Sequence, residues 1–153
     1  MQTTRYSADD EMELMSRLWT PAIKDDPLKF VLFVFPWGQP GTPLEHFDGP
    51  RKWQRQVLQR MADHVKQNNG KIDFDTLRMA TSSGRGIGKS ALVSWLVIWM
   101  LTTRIGSTTI VSANSEAQLR SITWAEITKW LSMALNSHWF EVSATRLMPA
   151  KWL

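Results

Sequence analysis

Apolar residues along this chain change their spacing several times, and each change marks an element. Over residues 9–19, Met12, Met15 and Trp19 recur at intervals of three and four, which predicts a short leading helix that Pro21 brings to an end. An apolar run at 30–35 follows, flanked by prolines. Beyond it Pro36, Gly38, Pro40, Gly41, Pro43, Gly49 and Pro50 crowd together, so this stretch is expected to be an ordered but irregular arm laid on the domain. From Arg51 the helical period returns. Trp53, Val57, Met61 and Val65 form one stripe, and Asn68, Asn69 and Gly70 supply the stop.

Residues 76–81 have the character of a short strand, and a glycine-rich stretch at 83–90 comes directly after it. A strongly apolar helix is then expected to run to about Thr103. The β-branched segment 108–113 predicts a second strand. Asn114 or Ser115 is placed to cap a further helix, with Gln118 positioned for a capping box with Ser115. That helix carries Leu119, Ile122, Ile127, Trp130 and Leu131 roughly on one side and is expected to end near Asn136, with 139–143 placed to begin another strand. There is no internal repeat, low-complexity segment or second domain in this pattern.

The glycine-rich octet is Ser83, Gly84, Arg85, Gly86, Ile87, Gly88, Lys89, Ser90. It matches the Walker A pattern except that serine stands where the first glycine usually does. Three glycines remain to let the backbone turn successive N–H groups toward one point, and a helix starting near Gly88 would add its unpaired N–H groups and positive dipole end. At this spacing Lys89 would meet the β- and γ-phosphates of ATP, and the Ser90 hydroxyl would be one ligand of the bridging Mg²⁺. Arg85 is either a catalytic cation aimed at the γ-phosphate or a solvated loop residue. Gln54 is either a reader of an adenine edge, since its amide offers donor and acceptor, or a surface residue. The bland alternative for the whole octet is a glycine loop before a helix, and the expected strand before and apolar helix after favour the phosphate reading.

The order strand, loop, helix, strand, helix then predicts the fold class: α/β, a parallel sheet of the P-loop NTPase type with flanking helices. It is expected to be incomplete, with residues 1–50 as a leading helix and arm and 51–153 as a partial ATPase domain. An ATPase needs a Walker B strand ending in an acidic residue, and neither 30–35 nor 108–113 ends in one. The chain is therefore expected to be a piece of a longer protein and to be catalytically incomplete alone.

Composition sharpens this only a little. The 153 residues, 43% of them hydrophobic, suit one globular domain, and the absence of cysteine removes disulfides and thiolate metal sites from consideration. Eighteen basic against fourteen acidic residues give a net charge of +4, a mild bias toward polyanions that does not by itself identify nucleic acid. The first ten residues lack a secretory signal, so export is not expected. Residues 91–101 are apolar apart from Ser94, but cover only about half of the roughly 20 residues a membrane span needs. Of the nine tryptophans, Trp53, Trp95, Trp99 and Trp130 fall on apolar helix stripes and read as core rather than as platforms for a base.

From about Asp26 to Leu147 the chain resembles the terminase large subunits of tailed phages and prophages, the motors that drive DNA into capsids. The resemblance rests on Phe35-Pro36-Trp37-Gly38 with Gly41-Thr42-Pro43-Leu44, on Arg51-Lys52-Trp53-Gln54, on the octet with Ala91-Leu92, and on Ser112-Ala113-Asn114 with Gln118-Leu119-Arg120 and Thr123-Trp124. It implies an ATP-binding core with Mg²⁺, in which Lys89 and Ser90 bind Mg-ATP, Arg85 is the basic residue of the loop and Gln54 belongs to an adenine-side motif. The implied partners are double-stranded DNA, a small terminase subunit, a portal and further copies in a ring, in the cytoplasm of a bacterial host and with no membrane. Arg104 and Arg120 are weak candidates for reaching a neighbour's nucleotide. The competing readings are a non-catalytic assembly module and another P-loop enzyme such as a helicase or small-molecule kinase. The blocks outside the octet argue against the latter.

Overall fold

Ser7 starts the first helix, α1 (Ala8–Leu18), by a reciprocal cap: its hydroxyl accepts from the Asp10 N–H at 3.1 Å while the Asp10 carboxylate accepts from the Ser7 N–H at 2.9 Å. The Ser7 hydroxyl also donates to the Asp10 carboxylate at 2.7 Å, and this bond first and that from the Ser7 N–H second hold the Asp10 carboxyl below its ordinary pKa. The structure is a computed structural model that describes residues 6–82, 84, 86 and 88–153. A single turn, α2 (Pro21–Lys24), leads into α3 (Pro27–Val34). Asp26 caps α3 by accepting from the Lys29 N–H at 3.0 Å, and Pro27 occupies the first helical position, where its missing N–H costs nothing.

The run at 30–35 is thus a core helix over most of its length and no part of an irregular arm, because Asp26 and Pro27 start a helix and the period of Phe30, Val31 and Val34 faces them inward, each fully buried. Residues 36–50 do form turns, as their prolines and glycines predict.

Two long helices follow, α4 (Lys52–Asn68) and α5 (Lys89–Thr103). α5 is apolar around its circumference, the mark of a helix enclosed by others, and it buries Leu92, Trp95, Ile98 and Trp99. Past the loop after α5, α6 (Glu116–Gln118) opens at Ser115, whose side chain accepts from the Gln118 N–H at 3.1 Å. It continues through a wider π-helical stretch (Leu119–Trp124) into α7 (Ala125–Met133). α5 packs along α7 and against α3, and α3 also packs on α4. Trp95 and Trp130 meet edge to face with ring centroids 5.1 Å apart, and Trp37 joins them. The chain ends in an antiparallel pair, β1 (Phe140–Val142) and β2 (Leu147–Pro149), in the register Phe140 to Pro149.

The expected parallel sheet of the P-loop NTPase type is therefore corrected. Helix dominates, and the β1–β2 pair is the one ladder among the described residues. Segments 76–81 and 108–113, both expected as strands, form none and lie largely at the surface. A strand persists only on a partner's backbone, and here the apolar faces of the flanking helices are buried on other helices instead. Among the described residues no helix is long and apolar enough to cross a membrane.

Candidate phosphate-binding site

The N-termini of the two longest helices meet at Gly86 and Gly88 of the glycine-rich octet. Gly88 is the N-cap of α5 at φ +92°, and Gly86 has φ +76°, so both glycines sit in the left-handed region that other residues avoid. As a glycine, the N-cap brings no side chain of its own to cap α5. Its first intrahelical bond runs from the Leu92 N–H to the Gly88 carbonyl at 3.1 Å, so the N–H groups of its opening turn have no acceptor within the helix itself. Lys89 is exposed in that turn. Ser90 is half-buried, and its hydroxyl has no hydrogen bond among the described residues.

α4 reaches the same point from the other side. The Gln54 Oε1 accepts from the Arg51 N–H at 2.8 Å, one half of a capping box whose other half arginine, having no acceptor, cannot supply. The Gln54 Nε2 donates to the Gly88 carbonyl, also at 2.8 Å. Arg51 donates from Nη1 to the Gly86 carbonyl at 3.2 Å. The N-termini of two helices thus meet at Gly86 and Gly88, with Arg51, Lys52 and Lys89 at or beside their first turns, an arrangement that favours an anion.

Of the sequence-predicted site residues, the structure brings together Gln54, Gly86, Gly88, Lys89 and Ser90, and Gly84 is exposed in the loop. Ser83, Arg85 and Ile87 lie outside the described residues. Gln54 is no surface residue: it is 3% exposed, with donor and acceptor both engaged by the protein. Arg51 is the site residue that sequence reasoning missed; its position as the residue before α4, three before Gln54, was the available signal. Arg104, at the far end of α5, is paired with Asp25 at 3.0 Å and lies over the Trp99 ring, and Arg120 is paired with Glu116 at 2.8 Å.

A cavity of about 720 Å³ lies toward that far end, walled by Val97, Leu101, Ile127 and Trp139 among others. It is mostly apolar, and none of the described residues of the glycine loop lines it.

No protein-family model matches the chain, and neither a curated protein nor a solved structure matches it significantly.

Proposed function

We propose that residues 83–90 bind the phosphates of ATP with Mg²⁺, and that the chain is the nucleotide-binding portion of a DNA-packaging ATPase of the terminase large-subunit kind. The observation that carries the reading is local: left-handed Gly86 and Gly88 lead into the N-terminus of a 15-residue helix whose first two residues are Lys89 and Ser90. This anion-favouring geometry does not depend on a parallel sheet.

The residues present fit the metal as well as the phosphates. Lys89 supplies a cation for the β- and γ-phosphates, and the Ser90 hydroxyl is the oxygen ligand offered to Mg²⁺, which when bound offsets phosphate charge. Arg85 supplies a further cation within the loop sequence. On this reading the partners are those the resemblance implies: double-stranded DNA, a small terminase subunit, a portal and further copies of the chain, inside a bacterial host. The role proposed for this chain is nucleotide binding.

Mg-ATP is expected to raise the unfolding temperature by about 5–10 °C at a hundredfold excess over Kd, and Lys89→Ala to remove most of that rise. Scanning fluorimetry, read from the many tryptophans, checks it. No rise at millimolar nucleotide, or an undiminished rise in the variant, would sink the reading.

A further inference from the structure

Gln54 holds the atom at which α5 begins. Its Nε2 donates to the Gly88 carbonyl at 2.8 Å, and that carbonyl also accepts the first hydrogen bond of the helix. A β-carbon added at Gly88 would stand 2.4 Å from the Gln54 Nε2, so the loop backbone and this side chain are fitted without slack. The other end of the amide accepts from the Arg51 N–H at 2.8 Å. That bond anchors Arg51 as the N-cap of α4, from which its guanidinium reaches the Gly86 carbonyl at 3.2 Å. The Arg51 side chain is exposed, and this is its one hydrogen bond among the described residues, made by one of the five donors that a guanidinium carries.

We propose that Gln54 is a positioning residue that sets the geometry of the phosphate loop, and that Arg51 is a second cationic contact for the phosphate chain beside Lys89. The inference rests on the phosphate-binding reading and moves Gln54 from recognition of the base to control of the loop. An amide enclosed at 3% exposure, with one partner on each atom, can reach a base edge only by releasing α4 from α5. The exposed guanidinium has the planar fork that matches phosphate oxygens.

The consequence is indifference to the base. Calorimetry of the whole chain with Mg²⁺ and, in turn, ATP, GTP or inorganic tripolyphosphate, well below the unfolding temperature, should show Gln54→Leu weakening all three by a common factor of about ten or more. Arg51→Ala should also weaken all three about tenfold, with the ligand-free unfolding temperature unchanged, because its backbone N–H still serves Gln54. Gln54→Glu is the conservative test. Its protonated carboxyl presents a carbonyl and an O–H where the amide had a carbonyl and an N–H, so affinity relative to the parent should recover as the pH is lowered through the carboxyl's titration. If Gln54→Leu does not fold, this variant and Arg51→Ala carry the test.

A loss confined to ATP means that the amide reads adenine and overturns the inference. Parental affinity in a Gln54→Leu chain with a lowered unfolding temperature makes the residue only a bolt between two helices, and overturns it too. Parental affinity in Arg51→Ala overturns the second contact. If the parent binds none of the three, the phosphate-binding reading itself fails, an outcome distinct from parental binding that the variants leave unchanged.

Discussion

Gly88 carries two constraints that separate in experiment. Its φ of +92° strains any residue with a β-carbon, and that carbon would stand 2.4 Å from the Gln54 Nε2. Gly86 shares the first constraint, at φ +76°, but a β-carbon there meets nothing within 4 Å. Gly86→Ala is therefore expected to cost about 1 kcal/mol and Gly88→Ala about 2–4 kcal/mol, the excess coming from displacement of the buried amide. Urea unfolding of both variants measures the difference; equal costs would mean that Gln54 yields freely. The sequence made the glycines and Lys89 and Ser90 legible because a phosphate loop is a local pattern. Burial of Gln54 was not legible, since it arises from the approach of two helices 34 residues apart in sequence at this contact.

Among the elements, the helices were readable where a period and a stop coincided, as in α1 and α4, and α5 was readable from its long apolar run. The π-helical stretch within the later helix carries no such signal. α3 shows how a reading fails: β-branched and aromatic residues between prolines resemble a strand or an arm, yet Asp26 before Pro27 is a helix start. Asp26 also accepts from the Lys66 Nζ at 3.0 Å, and by this hydrogen bond first and its charge second it holds the Lys66 ammonium above its ordinary pKa. Asp26→Ala removes the cap and is expected to cost about 1–2 kcal/mol, whereas Asp26→Asn keeps an oxygen for the Lys29 N–H and should cost less. A raised pKa means stability fully present below the unfolded lysine's value and lost as pH rises through the raised one. The alkaline loss of stability should accordingly be shallower in Asp26→Asn than in the parent. Denaturant titrations across that pH range test this, and an unchanged alkaline slope would refute the link.

At the scale of the molecule, the helical core could be anticipated from apolar stripes, but the sheet expected to organise it is absent. The reason is that a β-branched segment reports only willingness to be a strand, while a strand needs a partner that local sequence does not name. Residues 108–113 keep their alternation, with Thr109 and Val111 half-buried and Thr108, Ile110 and Ser112 exposed, Ile110 at 87%. Yet no backbone hydrogen bond runs from this segment or from 76–81 among the described residues. An amide without a protein acceptor is open to solvent exchange, whereas the amides of α5 are bonded along the helix and walled by α3 and α7. Hydrogen exchange followed by mass spectrometry should therefore show 76–81 and 108–113 exchanging within about tenfold of unstructured peptide rates, and the middle of α5 slower by at least about a thousandfold. Protection of both segments to the level of α5 would mean that they are paired strands and that this helical architecture is wrong. Protection of 108–113 alone would place its partner elsewhere and leave the α3–α5–α7 core standing.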